Sequence, residues 1–174
     1  MNVTPYWDLT QGDNGFVKTL FTGATYFQFL ERPSVVWAVR GAYGMISGSS
    51  RADIPADKRF YAGGGGSVRG YPYQTVGPLD DDDKPLGGRS LLELSNELRY
   101  RVTETIGVVA FLDGGAAYAE QIPDFDKSFL WGAGLGLRYY TSFAPLRLDV
   151  AVPLDKRPGV DDAFQIYVSI GQAY

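Results

Sequence analysis

The chain has 174 residues, enough for one domain, and carries 22 Gly, 12 Tyr and 14% aromatic residues, a mixture that favours strands and turns over helices. Its formal charge of -4 gives no support to a nucleic-acid partner. It has no Cys and no His, so disulfides, thiolate or imidazole metal sites and Ser-His or Cys-His nucleophiles are excluded, and no enzyme, metal or cofactor is expected.

No basic, apolar leader follows Met1, and no run of about 18 apolar residues marks a spanning helix. The signal along the chain is instead a period of two. A partial strand is predicted near Val3 to Asp8. A weak one follows over Phe16 to Glu31, with Val17, Phe21, Phe27 and Phe29 on one face. From Val35 to Met45, Val35, Trp37, Val39, Tyr43 and Met45 oppose a face carrying Arg40. From Leu92 to Val102, Leu92, Leu94, Leu98 and Val102 oppose Glu93, Ser95, Glu97, Arg99 and Arg101. From Ile106 to Tyr118, Ile106, Val108, Ala110 and Leu112 oppose a face that reaches Asp113. From Trp131 to Tyr140, alternate apolar residues oppose Gly132, Gly134, Gly136 and Arg138. Leu146, Leu148, Val150, Val152 and Leu154 then oppose Arg147 and Asp149. Phe164, Ile166, Val168 and Ile170 lie on one face of a last strand over Phe164 to Tyr174.

The connections alternate in length. Short ones hold Glu31-Arg32-Pro33, Thr103-Glu104-Thr105 and Phe143-Ala144-Pro145, and long ones run from Ser47 to Arg89, Glu120 to Phe129 and Asp155 to Ala163. Ten-residue strands with short turns on one side and long loops on the other fit an antiparallel transmembrane β-barrel, whose final aromatic residue suits an interfacial girdle. A soluble sandwich or lipocalin-like barrel also alternates, and periodicity alone does not say which face is inside. The mixture of Gly, Ser and opposite charges on the non-apolar faces suits a wet lumen.

The longest loop contains Arg59-Phe60-Tyr61-Ala62-Gly63-Gly64-Gly65-Gly66-Ser67-Val68-Arg69-Gly70-Tyr71. This resembles the loop motif of the BamA/TamA (bacterial surface antigen) superfamily, in which R-F-x-x-G-G leads to V-R-G-Y or V-R-G-F. Leu86-Gly87-Gly88 with the strand after it, Phe111-Leu112-Asp113-Gly114-Gly115, Gly134 to Tyr139, Pro145 to Asp149 and Phe164 to Tyr174 follow the family's later strands in order, and the segment from Leu146 to Pro153 looks more like the TamA branch. The resemblance implies the bacterial outer membrane and a non-enzymatic factor that assembles, inserts or translocates other proteins. It implies contact with outer-membrane lipid and with client β-barrel or secreted proteins. A two-partner-type secretion pore and a passive structural barrel are the alternatives.

The family barrel has sixteen strands and follows periplasmic POTRA domains. Residues 1–174 therefore look like the C-terminal portion of a barrel domain, with about eight strands and a long inward loop over about 48–90, and the periplasmic domains are missing from this chain. The resemblance makes Val68, Arg69, Gly70 and Tyr71 the functional loop motif, with Glu97 and Asp113 as the lumen partners of Arg69. A pairing of these carboxylates with Arg99, Arg101 or Arg138 alone is the other reading. If the piece stands by itself, self-closure into a small barrel with the loop displaced is expected over pairing of two copies, since association costs entropy. Asp80-Asp81-Asp82-Asp83-Lys84 reads as a solvated acidic loop; it also matches a protease recognition sequence and has the composition of a weak Ca²⁺ site.

Overall fold

The computed structural model describes residues 1–6, 15–124 and 129–171. Eight antiparallel strands form one sheet in chain order: β1 (Asn2–Tyr6), β2 (Phe16–Leu30), β3 (Val35–Ser47), β4 (Ser90–Arg101), β5 (Ile106–Tyr118), β6 (Leu130–Tyr140), β7 (Pro145–Pro153) and β8 (Gln165–Ile170). A 3-10 turn, Ala56–Lys58, lies in the β3–β4 loop. Trp7 and Asp8, and Gln172 to the aromatic terminus Tyr174, lie outside the described residues.

Which face is inside is now answered. The alternating apolar residues point outward and are exposed, among them Leu112, Leu135 at 68%, Val150 and Val168 at 77%. The opposite face buries Glu93, Ser95, Glu97, Asp113, Arg138, Arg147 and Asp149. A water-soluble barrel needs the reverse, because exposing apolar area to water costs about 25 cal/mol per Å². The soluble alternative is therefore set aside, and the sheet is part of a membrane barrel with a polar interior.

Register lines the inward residues into rows across the strands. One row joins Arg40, Ser95, Asp113 and Gly132, and the next Ala38, Glu97, Phe111, Gly134 and Ala151. A third joins Val36, Arg99, Val109, Gly136, Asp149 and Tyr167, and a fourth Arg101, Gly107, Arg138, Arg147 and Ser169.

The long β3–β4 loop lies over this inward face. Its base is closed by paired backbone bonds between Phe60 and Gly88 (2.9 and 2.8 Å) and by Arg59, which donates to the carbonyls of Ile54 and Leu86. Val68, Tyr71, Ile54, Phe60 and Val76 join Phe16, Ile46, Leu91 and Ala116 to Tyr118 in the largest apolar cluster of the described residues.

Self-closure, the expected arrangement, is not what forms. Among the described residues β1 pairs only with β2, and β8 only with β7. β1 covers β2 only from Phe16 to Leu20, so Phe21 to Leu30 have no described strand on that side. The loop is also inside rather than displaced. The physical reason is volume: a closed eight-strand barrel fills its interior with its own side chains, and here the loop takes that space.

Candidate functional site

The loop tip is made by Gly64 to Gly70. Gly63 donates its N–H to Ser67 Oγ (2.9 Å), the Gly64 N–H reaches the Val68 carbonyl (3.2 Å), and Ser67 bonds Glu93 on β4. Arg40 from β3 pairs with the same Glu93 at 3.4 Å. The chain then reverses at Gly70, whose φ of +102° suits glycine. A side chain there would also meet the Val152 carbonyl at 2.8 Å, so Gly70 permits both the turn and the approach to β7.

Arg69 is delivered by this turn into the polar face, only 3% exposed. It grips Asp113 bidentately, Nε–H to Oδ2 at 2.6 Å and Nη2–H to Oδ1 at 3.0 Å, and its backbone N–H adds a third bond at 3.3 Å. Nη1 lies 2.9 Å from Glu97 Oε1 and donates to Asp149 Oδ2 at 3.2 Å. The guanidinium carbon lies over the Phe111 ring, 3.5 Å from its centroid. Three carboxylates from three strands thus converge on one planar cation, whose fork matches carboxylate geometry.

The floor of this site is β6. Asp113, Glu97 and Asp149 sit in three successive rows, on β5, β4 and β7, and the β6 positions of those rows are Gly132, Gly134 and Gly136. A Cβ at Gly132 would overlap the Arg69 carbonyl oxygen, one at Gly134 the Phe111 ring, and one at Gly136 the Asp149 carboxylate. The bare strand is a trough shaped to the loop.

Each carboxylate has further support. Ser95 donates to Asp113 (2.6 Å), Arg99 pairs with Glu97 (2.7 Å), and Arg147 (3.2 Å) and Arg138 both pair with Asp149. Val68 is buried in the apolar cluster, and its methyl would meet a Cβ at Gly115. Tyr71, fully buried, donates to the Trp131 carbonyl (2.7 Å) and accepts from the Asp155 N–H (3.3 Å). Burial pushes its phenol up to about 12, so it keeps the proton it donates at neutral pH. Tyr167 of β8 closes the turn, accepting from the Gly70 N–H (3.1 Å) and donating to the Tyr71 carbonyl (3.0 Å).

All six residues singled out from the sequence meet here: Val68, Arg69, Gly70 and Tyr71 from the loop, Glu97 from β4 and Asp113 from β5. Glu97 also pairs with Arg99, so the two readings of its partner coexist. The structure adds Asp149, Tyr167, Phe111 and the β6 glycines. Arg147 and Asp149 carry a legible signal, opposite charges on the polar face of β7. The acidic run makes a tight exposed turn in which Asp80 Oδ1 accepts from the N–H groups of Asp82 (2.9 Å) and Lys84 (2.8 Å).

Comparison with known proteins adds the family dimension. The Omp85 superfamily domain model matches residues 2–174. The chain is 27% identical over 168 residues to the outer membrane protein assembly factor BamA of Nitratidesulfovibrio vulgaris, covering 94% of this chain and 21% of that protein. A SAM50-like protein of Schizosaccharomyces pombe is 26% identical over 155 residues, covering 82% of this chain and 32% of that one. The chain thus spans a fifth to a third of the length of these relatives. Among solved structures, BamA from Haemophilus ducreyi lacking POTRA domains 1-3 superposes with a TM-score of 0.67 at 23% identity, over 93% of this chain and 36% of that one. CdiB from Acinetobacter baumannii does so with a TM-score of 0.62 at 19% identity, over 90% of this chain and 26% of that one. The likeness to these structures shows the shared fold, an outer-membrane barrel of which this sheet is a part.

Proposed function

The chain belongs to the Omp85 superfamily, and from that premise we propose that it is the C-terminal portion of a barrel that assembles or inserts outer-membrane proteins without chemistry of its own. The supporting observation is the tie between the last strand and the inward loop: Tyr167 of β8 is hydrogen-bonded to the loop at Gly70 and Tyr71, and the far edge of β8 is the proposed point of client entry. An exposed edge can add a strand from an incoming chain, main chain to main chain. In this reading Arg69, held by Glu97 and Asp113, keeps the inner wall beside β8 in shape while that edge exchanges partners. The clients are unfolded β-barrel proteins, and the periplasmic domains that first receive them precede this segment in the whole protein.

A secretion pore is the second reading. It needs an open lumen, whereas the loop here lies across the inward face, so the pore reading requires the loop to leave. Two measurements separate them. Reconstituted in lipid vesicles, the protein carrying this chain should speed the folding of a urea-denatured client barrel, and a cysteine at Ser169 should cross-link to a cysteine in the client's terminal strand. Steady channel conductance with no gain in client folding would defeat the assembly reading. The number of periplasmic domains upstream would also separate the two readings, since the secretion branch is expected to carry fewer.

A further inference from the structure

The fourth inward row, at the short-turn end of the sheet, holds three arginines among its five residues. Arg101, Arg138 and Arg147 share it, and Arg138 and Arg147 are direct cross-strand partners. Like charges placed opposite each other destabilise a sheet unless something neutralises them. Arg99, one row away, adds a fourth guanidinium. Nearby carboxylates balance them only in part: Asp149 pairs with both Arg138 and Arg147, and Glu97 with Arg99, but with Asp113 these carboxylates also serve Arg69, which makes five guanidiniums against three carboxylates on this part of the face.

The four arginines surround a cavity of about 160 Å³, with Ser34, Glu97 and Tyr140 also in its wall. Arg138 is the telling residue. Its side chain is 6% exposed and its Nη1 pairs with Asp149, but its Nη2 makes no hydrogen bond, and Glu97 Oε1, likewise without one, is 4.0 Å away. A buried guanidinium nitrogen left without an acceptor is costly, and this one lies on the cavity wall. Arg101 is at the rim, stacked on Tyr140 at 4.3 Å and donating to the Glu104 carbonyl (2.7 Å).

We infer that this cavity is a binding site for one small oxyanion, a phosphate or carboxylate group entering from the short-turn mouth of the lumen. Arg138 Nη2 supplies the buried donor, Arg99 and Arg147 the flanking charge, and Arg101 closes from the rim. The planar fork of arginine suits both kinds of group. The source is either a dissolved anion or an acidic side chain of a polypeptide passing the mouth. The inference stands independently of the assembly reading, because it needs only the cavity and its charges.

The test is a titration of the folded protein in detergent at fixed ionic strength, followed by calorimetry, with inorganic phosphate as the first probe and a capped glutamate-containing tripeptide as the second. Saturable binding of either probe is expected, and competition between the two would place both in one site. Phosphate binding alone assigns a dissolved anion, and tighter peptide binding assigns the polypeptide source. Arg101→Gln, at the rim and outside the Arg69 cluster, should weaken binding about tenfold, the scale of one charge-assisted hydrogen bond. Lys156→Gln, an exposed cation in the β7–β8 loop, should leave it unchanged. Arg138→Gln should abolish binding, and circular dichroism shows whether that variant is still folded. No saturable binding of either probe would mean the cavity holds only water, and equal weakening by Arg101→Gln and Lys156→Gln would mean unspecific attraction; either result overturns the site.

Discussion

The two halves of the β3–β4 loop each set a cation among carboxylates and end in opposite places. The half around Arg69 places one cation among three carboxylates and buries all of them. The half around Asp80 to Lys84 places one cation among four carboxylates and leaves them in solvent, with Lys84 and Asp82 each more than two-thirds exposed. What differs is the surface each half meets. The first lies on glycines of β6 that leave room for backbone and charge, and its Asp113 partner is bonded by Ser95. The second meets water and satisfies its turn from Asp80 alone. A buried ion pair repays its desolvation only where geometry and extra hydrogen bonds are supplied, and only one half of the loop is given them.

The largest way to break this contrast is Arg69→Ala. It leaves Asp113 and Glu97 buried without their main cation, and removal of one partner from a buried pair costs roughly 3 to 5 kcal/mol. The tip should leave the trough and become as protease-sensitive as the acidic turn. Arg69→Lys keeps the charge but not the fork, and should recover only part of the loss. A digestion pattern unchanged in Arg69→Ala would show that the loop is held by its apolar contacts instead.

Gly132→Ala attacks the trough and leaves every charge in place. The added methyl overlaps the Arg69 carbonyl oxygen, which is backbone and cannot swing aside, and overpacking of this kind costs about 1 to 3 kcal/mol. Thermal unfolding of this variant should shift down, with the loop more readily cut. Wild-type unfolding would show that the loop tip does not rest on β6.

How much of this was legible is seen in particular residues. The faces of β4 to β8 follow from the period of two, because a lipid-facing and a lumen-facing residue must alternate on each strand. The short turns at Arg32-Pro33, Glu104 and Ala144 fall where alternation stops. Glu97 and Asp113 were named through family resemblance, and no spacing in the chain brings Arg69, 44 residues away from Asp113, to it. Asp149 was recognised as an inward charge but not as a ligand of Arg69, because strand register, set by the whole sheet, decides which row a residue joins. The expectation of self-closure failed for a similar reason. Closure depends on lumen volume, and the side-chain pattern of β2 or β8 says nothing of how much space the loop will occupy.

Tyr167→Phe sharpens the comparison at its β8 end. It deletes the hydroxyl that accepts from Gly70 and donates to Tyr71, at about 1 kcal/mol for a net hydrogen bond. Because the phenol links the loop to the edge strand, amide hydrogen exchange of β8 should rise while that of β5 is unchanged. Equal exchange in both strands would argue that the link between loop and edge is weak.

The smallest effect is expected from the acidic turn itself. Asp81→Ser should change stability by no more than about 0.5 kcal/mol, as surface substitutions away from special features do. The same turn offers a sharper measurement. The protease that reads Asp-Asp-Asp-Asp-Lys does not cut ahead of proline, so Pro85→Ala is the variant in which it cuts after Lys84, and this stretch is exposed. The upstream side of the cut is held by Arg69 and Tyr71 in the lumen, and the downstream side continues into β4 through the Phe60–Gly88 backbone pair. Neither side depends on the peptide bond being cut. A denaturing gel should therefore show two pieces, whereas the folded sample should migrate as one particle with its strand signal intact. Combining the cut with Arg69→Ala should free the upstream tip for further digestion. If the single cut already frees it, the acidic turn, and not the buried cluster, is what holds the loop in place.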